Sequence, residues 1–181
     1  YNPHKNPKLS SWRRFIRPLL RDVADQPDFN LIVDPHVKMF ARHFAWQKRR
    51  WQRMSRDNIL IDTGSDRSVD NSYTEAADIY VGDISSQVYE FLSRPRPCVF
   101  LNAHGVKWQD DINFLFWQLG DVVDDPKDLM SAIRAAPARH HLYIEKQKLF
   151  AARSLGDTSL GAAERAADTI LHYMRHGKVA L

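Results

Sequence analysis

Apolar positions along the chain switch between two spacings. Trp12, Phe15, Ile16, Leu19, Leu20 and Val23 recur at helical spacing. They predict a helix capped by Ser10 or Ser11 and running to about Ala24, with Pro18 expected to kink it or end its first turns. The proline-broken stretch from Tyr1 to Ser10 reads as a loop. Short apolar runs at 29–33, 58–62, 78–82, 98–102 and 121–123 predict strands. A helix over about 37–55 places Val37, Phe40, Phe44 and Trp51 on one side. Ser72 to Glu75 has capping-box spacing and predicts a short helix. Another helix follows over 85–93, and Ile112 to Leu119 reads as a short helix or an irregular aromatic segment. Asp125-Pro126 supplies an N-cap and a proline at the first helical position, opening a helix to about Ala135. The tail, 138–177, predicts two helices separated at Ser154 to Leu160.

Strands alternating with helices at short spacing predict an α/β fold, with a doubly wound, mostly parallel sheet. Residues 1–137 are expected to form this Rossmann-like domain, with 138–181 as C-terminal helices packing on it.

With 181 residues and 44% hydrophobic content, the chain has material for a proper core. The single cysteine, Cys98, lies in an apolar run and is expected in the core. The chain therefore forms no internal disulfide, which suits a reducing cytoplasm. No apolar run approaches the ~20 residues of a membrane span. The net charge of +4 is unevenly spread. Residues 1–56 hold 13 Lys/Arg against 4 Asp/Glu, whereas 57–130 hold 5 against 14. Such a basic block attracts anionic lipid, nucleic acid or a polyphosphate, and it also occurs as an ordinary solvated helix face.

Ligands of open parallel sheets bind beyond the carboxyl ends of the strands. Four candidates fall there: His36, Asp62, Asp83 with Ser85 and Ser86, and Asn102 with His104. In the run Ala77 to Ser86 a strand turns at Gly82-Asp83 into a helix opening with two serines. Unpaired N–H groups and the helix dipole at such an end suit a phosphate, while Asp83 or Ser85 could equally act as a plain cap. Metal-binding spacings are absent, and Asp110-Asp111 is too small a cluster to hold an ion.

The order Asp70, Ala77-Asp78, Gly82-Asp83-Ile84-Ser85-Ser86, Glu90, Arg96-Pro97 and Cys98 to Leu101, together with Asp34-Pro35-His36, carries a resemblance. It resembles the C-terminal, donor-binding half of the CDP-glycerol glycerophosphotransferase family, GT-B enzymes that build teichoic-acid-like polymers. Element order follows the family over roughly 11–135. The sequence departs at Gly82 and Ile84, where threonine and tyrosine are commoner, and at Val37, where proline is. The resemblance implies that His36 acts in catalysis at the departing phosphate. It also implies that Ser85, Ser86 and Asp83 hold the donor pyrophosphate and that Glu90 binds the ribose. Asp62 and His104 stand beside them as further candidates.

Carried further, the resemblance implies a nucleotide-activated donor as substrate, CDP-glycerol first, with no separate cofactor and no metal. An acceptor hydroxyl would attack the β-phosphorus and release CMP. The general base would come from an N-terminal acceptor domain, and the first strand of this domain would lie upstream of Tyr1. A fragment like this one would bind donor but turn over poorly. Family members are cytoplasmic and peripheral at the inner face of the membrane, so the basic–aromatic segment Phe40 to Met54 becomes a candidate membrane surface. Two alternatives stay open: a GT-B glycosyltransferase or epimerase using a UDP- or GDP-sugar, and a basic module binding lipid or nucleic acid. With a nucleotide donor as ligand, nucleic acid is not expected as a partner.

Overall fold

Residues 98–101 are buried at all four positions, and alternate side chains feed two different apolar clusters. Such a run marks the middle of a sheet covered on both faces. The computed structural model describes residues 8–36, 38–41, 43–157 and 159–178. Helix α1 (Trp12–Ala24) leads to β1 (Leu31–Val33), α2 (Ala45–Gln52), β2 (Ile59–Ile61) and α3 (Ser72–Ala76). Then come β3 (Tyr80–Gly82), α4 (Gln87–Phe91), β4 (Cys98–Leu101) and β5 (Asp121–Val123). Helices α5 (Leu129–Arg139), α6 (Ile144–Leu155) and α7 (Ala162–His176) complete the order.

Every ladder between these strands is parallel. Strand β1 pairs with β2, setting Val33 opposite Ile61. In the other sheet β4 lies between β3 and β5, with Gly82 opposite Phe100 and Leu101 opposite Val123. One apolar cluster joins both sheets: Val33, Ile59 and Ile61 meet Val99, Leu101 and Val123 under the buried faces of α1 and α5. The second cluster packs Cys98 and Phe100 against Val88, Phe91, Trp117 and Leu119. The fold is thus α/β with parallel sheets and C-terminal helices, as the strand–helix alternation predicts.

Several boundaries differ for physical reasons. Helix α1 runs unbroken through Pro18. Burial of Phe15, Ile16, Leu19, Leu20 and Val23 offsets the ~3 kcal/mol that an interior proline costs. The predicted helix over 37–55 shortens to Ala45–Gln52, opened by Gln47 accepting the Phe44 N–H at 2.9 Å. Phe40 lies outside it, 2% exposed, against the rings of Trp12 and Trp51. Its helical spacing reflected that aromatic contact. Val37 and the loop reading of 1–7 fall outside the described residues. Helix α3 starts where predicted but is capped by Asp70, which accepts the Ser72 N–H at 2.9 Å, and not by a Ser72–Glu75 box. Ile112–Leu119 is a 3-10 helix. Asp125 caps as expected, accepting the Lys127 N–H at 3.0 Å.

The tail forms two helices. Helix α6 is fixed by Gln147, fully buried, whose amide donates to the carbonyls of Arg96 at 2.9 Å and Leu119 at 2.7 Å. Helix α7 buries none of its residues.

Candidate functional site

Strand β1 ends in Asp34-Pro35-His36. The His36 ring is exposed, and its Nδ1 accepts the Lys38 N–H at 3.1 Å. That bond leaves Nε2 as the proton-bearing nitrogen of the neutral ring. Asp34 is half-buried beside it, with the side chains of Ser68 and Gln87 as neighbours. Burial pushes the Asp34 carboxyl above its ordinary range, with Asp62 adding to the rise, although Ser68 and Gln87 favour its charged form. Neither neighbour reaches Asp34 Oδ1 at hydrogen-bond distance. Because Gln87 opens α4, its approach to Asp34 places the His36 turn near the turn that carries Ser85 and Ser86.

In that second turn the two serines part company. Ser85 is half-buried, and its Oγ accepts the Gln87 N–H at 3.3 Å, which occupies it at the first N–H of the helix. Ser86 is exposed, with helical backbone angles and a hydroxyl bonded to no described residue. Glu90 is also exposed and lies four residues on, on the same helix face as Ser86. Helix α4 spans only five residues, shorter than the predicted 85–93, so its dipole adds little.

Tyr80 lies across this turn. A Cβ at residue 82 would meet the Tyr80 hydroxyl at 2.5 Å, which is why glycine stands there. Burial pushes the Tyr80 phenol well above its ordinary range, with the nearby Asp83 charge adding to the rise and Ser85 opposing it. The departure at Gly82 is therefore a packing solution in which a tyrosine two residues back covers the strand end.

The remaining candidates are occupied by the chain itself. Asp83 is buried, and its Oδ2 accepts both the N–H of Ser11 at 2.8 Å and its hydroxyl at 2.9 Å. It braces the start of α1. The His104 ring is exposed, with Nε2 3.1 Å from the Ser10 carbonyl, and Arg14 donates to the Ala103 carbonyl at 2.7 Å. Asn102 closes its own loop on both backbone groups of Val106. Asp62 accepts from the N–H groups of Gly64 and Ser65, each at 2.8 Å, and from Tyr73 at 2.7 Å. The Ser65 hydroxyl donates to it as well.

Sequence reasoning missed other buried polar work. Arg96 is buried with no ion pair to a carboxylate among the described residues, stacked 3.8 Å over the Phe91 ring. Its guanidinium donates to carbonyls at the ends of α3 and α4, including Thr74 at 2.8 Å and Ala77 at 2.7 Å. That desolvation pushes its pKa down. His140 meets Gln147 Oε1 at 2.9 Å through its Nε2. Only the tertiary fold reveals these pairs. Among the described residues no cluster of three or more His, Cys, Asp or Glu could hold a metal ion, and no helix is long and apolar enough to cross a membrane.

Comparison with curated proteins and with solved structures returned no match. The family model for CDP-Glycerol:Poly(glycerophosphate) glycerophosphotransferase matches residues 26–172, most of the chain, from just before β1 into α7. The motifs around Asp34-Pro35-His36 and 70–101 lie inside that span. The chain therefore belongs to the CDP-glycerol:poly(glycerophosphate) glycerophosphotransferase family of transferases.

Proposed function

We propose that this domain binds a CDP-linked polyol phosphate, CDP-glycerol first, at the strand ends where the His36 and Ser85-Ser86 turns meet. The observation that supports this reading is the approach of Asp34 to Gln87, which brings those turns together from separate sheets. In the proposed reaction an acceptor hydroxyl of a cell-envelope polymer or glycan attacks the β-phosphorus. The bond from that phosphorus to the bridging oxygen breaks, and CMP leaves with the bond's electrons. His36, with Nε2 carrying a proton, donates a hydrogen bond to the departing phosphate and stabilises its charge. The exposed Ser86 hydroxyl donates to the pyrophosphate, and Glu90 on the same face accepts from the ribose. The base that deprotonates the acceptor would come from a separate acceptor-binding half. Positioning and charge stabilisation then supply most of the rate.

Calorimetric titration of CDP-glycerol, CDP, UDP, GDP and ADP tests this reading, with Ser86→Ala and His36→Asn alongside. Selective cytidine-diphosphate binding, about tenfold weaker in Ser86→Ala, is the expected result. Preference for UDP or GDP would transfer the domain to sugar-nucleotide chemistry. A folded protein that binds no nucleotide would overturn the reading.

A membrane surface is proposed as a second partner because Phe44 and Trp46 are 72% and 63% exposed beside Arg49, Arg50 and Arg53. Exposed aromatics next to cations suit the headgroup region of the inner membrane face, which would hold the enzyme at its polymer.

A further inference from the structure

Two buried side-chain atoms lack a hydrogen-bond partner among the described residues, Asp34 Oδ1 and Ser68 Oγ. They belong to different elements. Asp34 follows β1, and Ser68 ends the 3-10 turn Asp66–Ser68 after β2, only 6% exposed. Leaving a buried polar atom unmade costs about 1–3 kcal/mol, so folded domains keep few of them. Here two neighbours lie together at the carboxyl end of a parallel sheet, the edge where such folds take ligands.

Their chemistry selects the ligand. An ionised carboxylate oxygen only accepts, whereas a serine hydroxyl both accepts and donates. A ligand hydroxyl can donate to Asp34 while its own oxygen accepts from Ser68, and a vicinal diol does both with separate hydroxyls. A phosphate suits the pair poorly. Among the described residues, the groups that act on Asp34 include Asp62 from the β2 turn, Ser68, Gln87 from α4 and the Tyr80 phenol, none of them a cation. Burial makes the Asp34 carboxyl hold its proton longer, and in that form it can donate to a hydroxyl oxygen instead.

We propose that Asp34 Oδ1 and Ser68 Oγ form a subsite for a neutral, hydroxyl-bearing group, a diol, on the ligand that His36 and Ser86 face. This rests on the donor-site reading above and gives that site a discriminating wall: phosphate toward His36 and Ser86, hydroxyls toward Asp34 and Ser68. The diol has two sources, the polyol that the nucleotide carries or the ribose, which Asp34 and Ser68 would then share with Glu90.

The test is calorimetric titration of CDP-glycerol, CDP and 2′,3′-dideoxy-CDP into the wild type, Ser68→Ala and Asp34→Asn, with urea unfolding of each. Deleting an unpaired buried hydroxyl leaves the free protein as stable as the wild type or more so, while weakening the diol-bearing ligand about tenfold. If the ribose is the source, CDP and CDP-glycerol both weaken in Ser68→Ala and the dideoxy nucleotide does not. If the polyol is the source, only CDP-glycerol weakens. Asp34→Asn is expected to follow Ser68→Ala in ligand selectivity. Affinities within twofold of a nucleotide-binding wild type would overturn the subsite and leave the donor site standing. A marked loss of stability in Ser68→Ala would overturn it too, because the hydroxyl would then be bonded within the chain. A wild type that binds none of the three ligands would overturn both readings.

Discussion

Asp83 and Ser11, 72 positions apart, form a two-point contact in which one carboxylate oxygen takes the Ser11 N–H at 2.8 Å and its hydroxyl at 2.9 Å. The contact ties the start of α1 to the turn after β3. It therefore gives a structural role to an acid that the family resemblance assigns to pyrophosphate. Two charge-assisted bonds to a buried carboxylate make Asp83→Ala destabilising by about 2–3 kcal/mol, since Ser11 is left with unmade donors. Urea unfolding checks this, with Ser86→Ala as a control expected within about 0.5 kcal/mol of the wild type. A folded Asp83→Ala protein whose stability is unchanged but whose nucleotide affinity collapses would return Asp83 to the ligand.

Gly82 and Tyr80 make a second coupled pair. A Cβ at residue 82 would sit 2.5 Å from the Tyr80 hydroxyl and 2.7 Å from two ring carbons. The ring is packed against Phe91 and Phe100, at centroid distances of 5.5 and 6.2 Å, so it has little room to retreat. Gly82→Ala is therefore expected to cost about 1–3 kcal/mol through overpacking. In a Tyr80→Val background the same substitution should cost far less. A double-mutant cycle measures the difference, and simple additivity would show that the clash is relieved elsewhere.

How much of this was legible in the sequence depended on the range of the interaction. Cys98 to Leu101 announced a doubly covered strand because an unbroken apolar run has few other uses. Asp125-Pro126 announced a helix start because capping is local. The turn from β3 into α4 at Ser85 was readable for the same reason. The Asp83–Ser11 bond was not, because nothing local distinguishes a brace from a phosphate ligand. Phe40 misled because its spacing to Phe44 and Trp51 mimics a helix face, whereas its ring packs on Trp12 from outside one. The surroundings of Asp34 were not legible locally, because its neighbours come from the turn after β2 and the start of α4. The ion pair of Arg139 with Asp121, 2.8 Å, and the Tyr143 hydroxyl on the same carboxylate, 2.7 Å, likewise needed the folded sheet edge.

Asp62 gives the molecule a predictable acid response. Burial alone would raise its pKa, but donation from Ser65, Tyr73 and Gly64 outweighs that and holds it at about 2, against an ordinary value of 3.8. A folded-state pKa below the unfolded one means that the contribution is complete at pH values above about 4. It is lost as pH falls toward 2 and the carboxylate takes up its proton. Discounted for solvent screening through the exposed Gly64 and Ser65 beside it, the contribution is about 1 kcal/mol. Asp62→Asn should therefore lower stability by about that much near neutrality. It should also flatten the decline between about pH 4 and 2, where the wild type weakens. Urea midpoints collected across that interval for both proteins decide the matter. Parallel curves would mean that the four donors around Asp62 fix the turn without favouring its charge.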